Sequence, residues 1–378
     1  MAIEPRAGLA PDSKTEFENE SYYIASSSQL IWRSFVKHKP AMVAAIVLFI
    51  LYLTGPLFAE FFSTTDIYLR HTSFVDAPPS RIRFFHQGSL RAPFVYGMKG
   101  TRDPETLRRI YEPDKDTLYP IRFFVHGTEY ELWGLFKSDL HFIGTLEPGN
   151  LFLFGTDDLG RDMFSRTLHG ARVSLTLGLL GVAISFVLGC LLGGISGYYG
   201  GSADMLIQRV IEFLGGIPTL PFWMALAAAI PKIWPPIRTY FMMTIILSII
   251  GWTGLARIVR GKLLAIREED YVMAAKISGS TELRIITRHL LPGFLSYLIV
   301  HLSLAVPGMI LGETALSFLG IGLTAPVVSW GVQLQGTQNV SAIAMKPWLL
   351  IPALFIVVTV LSFNFLGDGL RDAADPYK

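Results

Sequence analysis

Cysteine is almost missing from this chain: Cys190 is the single one in 378 residues, and it lies inside an apolar run. A disulfide framework and a cysteine-built metal centre are therefore excluded. Charge is scarce too, with 16% Asp, Glu, Lys and Arg against about 25% in soluble domains. The formal net charge is only +2, so nothing points to nucleic acid or another polyanionic partner. The phosphate-cradling GxxxxGK[ST] pattern is missing, as are HExxH and GxSxG, which removes the usual signatures of a nucleotide-binding subunit, a zinc hydrolase and a serine hydrolase. What is present is apolar: 51% hydrophobic residues, 12% aromatic, and a mean hydropathy of +0.44. Polar groups this sparse could not cover a water-soluble domain, so the chain is expected in a bilayer, with membrane lipid as its first partner.

A spanning helix needs roughly 20 apolar residues at about 1.5 Å each to cross a hydrocarbon core of about 30 Å. Ala41 to Phe62 satisfies this with one late charge, Glu60, and Val173 to Ile195 has none. Tyr240 to Ala256, Leu295 to Leu311 (which contains His301) and Trp348 to Leu366 are also free of Asp, Glu, Lys and Arg. Met205 to Ile230 is interrupted by Arg209 and Glu212, three apart on one helical face, and by Gly215, Gly216, Pro218 and Pro221; it reads as a kinked sixth span. The glycines of Leu188 to Gly201 read as close helix packing followed by a turn.

Basic residues in short loops set the orientation. Arg33, Lys37 and Lys39 precede span one; Arg257, Arg260, Lys262, Arg267, Lys276, Arg284 and Arg288 follow span four. Both segments are expected on the cytoplasmic side, which places both termini there. The first apolar run starts only near residue 41 and exceeds the about 7 to 15 residues of a signal-peptide core, so span one should stay as an anchor. The expected organisation is a cytoplasmic segment at 1–40, span one at 41–62, an external insertion at 63–150, a core at 151–367 holding spans two to six and an inner loop at 257–293, and a cytoplasmic tail at 368–378.

The insertion has globular composition. Arg102 to Tyr111 predicts a short helix with Asp103 as N-cap and Pro104 behind it, and Ile121 to Phe136 predicts two strands around a turn at His126 and Gly127. That makes a small α/β unit, either a docking surface for a soluble delivery protein or a decoration without a direct role.

The inner loop carries the most pattern. Asp270 can cap a short helix whose first turn is helped by Glu268 and Glu269; Tyr271 to Ser278 gives about two turns, and Gly279 suits the left-handed residue that ends it. Ser280 with Glu282 starts a second helix, and Pro292 marks re-entry into the membrane. Ala274 and Ala275 leave one side of the first helix nearly bare, as if it were built to be inserted into something.

Other polar residues admit plainer readings. Asp157, Asp158, Arg161 and Asp162 read as a capped, salt-bridged turn rather than a metal site. His301 reads as a packed or pore-lining group, since no second ligand stands at metal spacing. Glu313, beyond span five, reads as structural or gating rather than substrate-coordinating.

The spacing Ala274-Ala275, Gly279, Leu291-Pro292 resembles the EAA loop of permease subunits of binding-protein-dependent ABC importers, with Met273 where Glu is usual and His289 where Ile is usual. Three further segments resemble the C-type permease of the dipeptide, oligopeptide and nickel branch: GTDDLGRDMFSRTLHGARVSL from Gly155, ETALSFLGIGL from Glu313 with SWG at Ser329, and GDGLRDAADP from Gly367. Together they span Arg33 to Lys378. The resemblance implies an all-α polytopic membrane protein with six transmembrane helices of the ABC importer permease type and a small extracytoplasmic α/β insertion between helices 1 and 2. It implies a bacterial inner-membrane location and partners: a homologous B-type permease, two ATPase subunits carrying ATP and Mg, and an extracytoplasmic substrate-binding protein. This chain would be no enzyme and hold no cofactor. Asp270, Tyr271, Ala274, Ala275, Gly279, Leu291 and Pro292 would form the ATPase-coupling site. Gly155, Asp157, Gly160, Arg161, Asp162, Glu313, Gly367, Asp368, Arg371 and Asp372 would be motif residues with gating or structural roles. Peptides would be the cargo, with oligosaccharides or sugar-phosphate conjugates as the alternative; a stand-alone ion-coupled transporter would need inverted repeats and paired midplane charges.

Overall fold

The computed structural model describes residues 27–105, 109–266, 269–281, 284–285 and 294–374. Helix α1 (Ser27–Lys37) stops where His38 caps the next helix, its Nδ1 accepting the Ala41 amide at 3.2 Å. Helix α2 (Lys39–Tyr52) runs into a π-helical turn at Leu53–Leu57. Pro56 explains the turn, because it has no N–H to continue the regular ladder. A Cβ on Gly55 would lie 2.5 Å from the Ala171 Cβ, so span one crosses the second span at this point. Short α3 (Ala59–Phe62) follows, and Glu60 in it takes both arms of Arg172, at 2.5 and 2.7 Å.

The insertion is a four-stranded antiparallel sheet in the order β1 (Arg83–His86), β2 (Ser89–Arg102), β3 (Arg109–Leu132) and β4 (Phe136–Thr145). Among the described residues from Arg83 to Thr145 there is no α-helix, which corrects the α/β expectation. Asp103 does cap, accepting the Glu105 amide at 2.9 Å, but it closes only a turn: Arg102 pairs with Arg109 and Thr101 with Ile110 across β2 and β3. Cross-strand pairing and the Tyr111 hydroxyl, which donates to the Val75 carbonyl at 2.6 Å, override the local helix signal. The expected turn at His126–Gly127 is also absent. The chain stays extended there with a register shift before Tyr130, and reverses instead at 133–135. Gly127 serves clearance rather than turning, since a Cβ would stand 2.8 Å from the His141 ring.

The helical core begins with α4 (Met163–Tyr199), whose 37 residues exceed what a bilayer needs, so its first turns project beyond the membrane. Gly189, Gly193 and Gly197, four apart, lie against Leu255, Ala256, Val259, Arg260 and Leu263 of α7 (Pro236–Ile266); a Cβ on Gly193 would approach the Ala256 oxygen to 2.5 Å. The expected close packing is thus present, and a turn at Gly200–Gly201 follows it. Next come α5 (Gly201–Gly215) and α6 (Thr219–Ala228), bent by 87° at the Gly215–Pro218 break. After α7 come α8 (Asp270–Ile277), α9 (Leu295–Phe318), α10 (Trp330–Leu334), α11 (Val340–Met345) and α12 (Ile351–Ala374).

Among the described residues, five helices are long and apolar enough to cross a membrane, and six if the bent pair is one span. The pair reaches from one end of the bundle to the other. Asp204 at the start of α5 meets Arg260 near the end of α7, whereas the loop after α6 shares a cavity with Gly320–Val327 just past α9. Leu175, Leu247, Ile310, Leu316 and Trp330 lie in the main core of the bundle.

Candidate coupling face and membrane cavity

Helix α8 is two-sided. Val272 and Ala275 are buried against Leu255, Val259 and Leu263 of α7 and against Ile285 and Leu298. Tyr271, Met273, Ala274 and Ile277 are exposed, Ile277 by 85%. The two alanines therefore do not share a bare side: consecutive helical residues point about 100° apart, so Ala275 seats the helix on its own chain while Ala274 faces outward. Asp270 is the first helical residue, not the cap; the Glu269 carbonyl takes the Val272 and Met273 amides at 2.9 and 3.1 Å.

The end of α8 follows the expectation closely. Gly279 has φ +74°, and the Ser280 amide reaches back to the Ala275 carbonyl at 3.1 Å, the six-to-one bond of a Schellman cap. Of the expected second helix, Thr281, Arg284 and Ile285 are described, with the Ile285 amide donating to Thr281 at 2.9 Å. Glu282, Leu291 and Pro292 lie outside the described residues.

Glu313 is fully buried inside protein rather than marking a helix end at a surface. Its Oε1 accepts the hydroxyls of Ser317 and Ser329, both at 2.7 Å, and Oε2 accepts that of Ser174 at 3.3 Å. Those serines also receive backbone amides: Leu323 on Ser317, Val332 on Ser329 and Trp330 on Ser174. One carboxylate thus fastens α4, α9 and α10 together.

The 155–162 motif is a capped, ion-paired turn. Asp157 accepts the Arg161 Nε at 2.7 Å and its amide at 2.9 Å, with the Arg166 Nε at 3.6 Å. Asp162 caps α4 by accepting the Ser165 amide at 2.8 Å and the Thr64 hydroxyl at 2.9 Å. Burial pushes the Asp162 carboxyl above the usual carboxylate range, against the pull of these donors. Gly155 and Gly160 sit on the carbonyls of Ala77 and His71, closing the strap from span one onto α4. At the other end, Gly367 packs on Leu304 and Gly369 on Ala41, so that motif joins α12 to α9 and α2, with Asp368 and Arg371 exposed on it and Asp372 half-buried.

A cavity of about 240 Å³ lies within the bundle, lined among others by Ser185, Trp223, Gly251, His301 and Met309 from α4, α6, α7 and α9. His301 is thus a cavity-lining group, in keeping with the pore-lining reading.

Two clusters escaped the sequence reading. The three serines around Glu313 are one; Ser317 at four residues beyond Glu313 was the available signal. The other is Asp204, which takes the Arg260 guanidinium while Gln208 and Ser196 complete the knot. An acid so close to a span calls for a partner; in this stretch the sequence suggests only the exposed Arg209–Glu212 pair, found at 2.8 Å, and no partner for Asp204.

The family described as binding-protein-dependent transport system inner membrane component matches residues 185–377, and the N-terminal TM domain of oligopeptide transport permease C matches residues 26–79. The chain is 42% identical over 233 residues to the dipeptide transport system permease protein DppC of Bacillus subtilis, covering 61% of this chain and 70% of that one. It is 43% identical over 224 residues to the oligopeptide transport system permease protein OppC of Haemophilus influenzae, covering 59% and 70%. Among solved structures, an inward-facing conformation of the MetNI methionine ABC transporter aligns with a TM-score of 0.43 at 17% identity, over 56% of this chain and 97% of that one. With its membrane core matched from residue 185 to residue 377, the chain belongs to the binding-protein-dependent transport system inner membrane component family.

Proposed function

We propose that the chain is the permease subunit of an ATP-driven importer that moves peptides across the bacterial inner membrane by alternating access. Six spans, with the bent α5–α6 pair as the third, put both termini in the cytoplasm and the sheet of residues 83–145 outside. A homologous B-type permease closes the open side of the bundle around the cavity lined by Ser185, Trp223 and His301. Two ATPase subunits carry ATP and Mg, and an extracytoplasmic binding protein delivers the cargo. Peptide is favoured over oligosaccharide because the dipeptide and oligopeptide permeases are the relatives found.

The observation that carries this reading is the two-sided build of α8. Its inner face is locked to α7, so a push on Tyr271, Ala274 or Ile277 moves the bundle as a body instead of bending a loop. Nucleotide binding in the partner can then bias the inward- and outward-facing arrangements. The Glu313 knot and the 155–162 strap are rigid fixtures of that body rather than substrate contacts.

The test is a cysteine at position 277 in the assembled importer. A crosslink to the ATPase subunit whose yield changes between nucleotide-free and ATP-bound states is expected. Transport in vesicles that continues without ATP or any ATPase subunit would overturn the reading in favour of an ion-coupled carrier.

A further inference from the structure

The β3–β4 hairpin turns back toward the bilayer. Near its base, the His141 Nδ1 meets the Ser63 carbonyl at 2.7 Å, just after span one. At its tip, the Trp133 indole donates to the Leu57 carbonyl at 2.7 Å, and the Trp133 and Phe58 rings lie 5.6 Å apart. Leu57 is the last residue of span one. The Trp133–Leu57 bond therefore sets the tip level with the last residue of span one.

What the tip exposes there is apolar: Trp133 by 50%, Leu135 by 75% and Phe136 by 61%. Charge returns only one residue farther up, where Glu131 and Lys137 stand opposite each other on the two strands. The turn holds Trp133 at φ +55° and Gly134 at φ +69°, with the Leu135 amide donating to Leu132 at 3.0 Å. A bulky residue with positive φ is rare and strained; here it lets the indole reach Leu57 while Leu135 points away. Span one itself exposes the apolar side chains of Phe49, Ile50 and Leu57. Tryptophan prefers this interfacial level, and an apolar wedge of this reach suits a burial of about 5–10 Å.

The geometry points to a membrane wedge: residues 132–136 at the hairpin tip sit in the outer leaflet against lipid, fastening the external sheet to the bilayer beside span one. Both family matches leave residues 80–184 uncovered, so neither of them describes this hairpin. It rests on the outward orientation proposed above.

The test places a nitroxide at Leu135→Cys, and separately at Phe136→Cys, in a Cys190→Ala background. The full importer is reconstituted in vesicles of phosphatidylethanolamine and phosphatidylglycerol. Ile50→Cys is the lipid reference and Lys115→Cys, on the far part of β3, the aqueous one. Oxygen over nickel-chelate accessibility at 135 or 136 should approach that at 50 and exceed that at 115 several-fold. A ratio equal to that at 115, or a site closed to both reagents because a protein partner covers it, overturns the wedge. Labelling of Lys115→Cys by an impermeant maleimide from outside checks the orientation separately; labelling only from inside would sink the topology itself.

Discussion

Arg260 holds Asp204 through two parallel bonds, Nε to Oδ1 at 2.5 Å and Nη2 to Oδ2 at 2.6 Å, joining the end of α7 to the start of α5. Ser196 and Gln208 add the end of α4 to the same knot. Fork-to-carboxylate geometry of this kind depends on the guanidinium plane, which lysine lacks. Arg260→Lys is expected to lower the thermal stability of the solubilised chain measurably, and Asp204→Asn with Arg260→Gln should show a coupling of about 1 kcal/mol in a double-mutant cycle. Additive single effects would show that the pair does not join the two helices.

Glu313 accepts three hydroxyls, so what replaces it decides the outcome. Gln keeps an oxygen for Ser317 and Ser329 and can turn its amide toward Ser174. Ala leaves three buried hydroxyls without their acceptor and opens a void, at a cost on the order of 3 kcal/mol. Transport near the wild-type rate for Glu313→Gln, with poor yield and early melting for Glu313→Ala, is expected. A transport-dead but stable Glu313→Gln would reveal a role for the charge itself.

The external sheet has a pH-dependent contact of its own. The Lys99 ammonium, 3.0 Å from Asp114, holds that carboxyl below the usual range by hydrogen bonding and charge. The folded state thus favours the carboxylate. The contribution is complete above the ordinary aspartate pKa of about 3.9 and is lost as pH falls through the lower folded value. Amide hydrogen exchange over residues 97–102 and 109–114 should quicken in that acid range, and Lys99→Met should raise exchange near neutral pH while flattening its acid dependence. An acid dependence as steep in Lys99→Met as in the wild type would count against the pairing.

The membrane core was readable because its physics is one-dimensional: an uninterrupted apolar run must be a helix that spans, and glycines four apart at 189, 193 and 197 must face a neighbour. Gly279 was readable because a left-handed cap tolerates little else. The insertion was not, because Asp103–Pro104 is an equally good start for a helix and for a turn, and the choice was made by strand partners far along the chain. Ala275 was misplaced for a similar reason, since small residues are wanted both where a partner docks and where a helix lies close to its own bundle. The serine cage of Glu313 draws on α4, α9 and the α10 cap, three places that no local spacing connects.

At Gly279, backbone and surroundings can be separated experimentally. Its φ of +74° disfavours any side chain, yet nothing lies within 4 Å of where a Cβ would be, so a substitution meets conformational strain and no clash. The strain for a β-branched residue is about 1–2 kcal/mol, while asparagine visits this region far more readily. If α8 must end here to stay rigid against α7, Gly279→Val should keep ATP hydrolysis in the assembled importer but lose most transport, whereas Gly279→Asn should retain most of it. Ratios of peptide uptake to phosphate release in vesicles measure this directly. Equal loss in both variants would place the defect in contact with the partner rather than in the backbone, and full coupling in Gly279→Val would remove the cap from the coupling path.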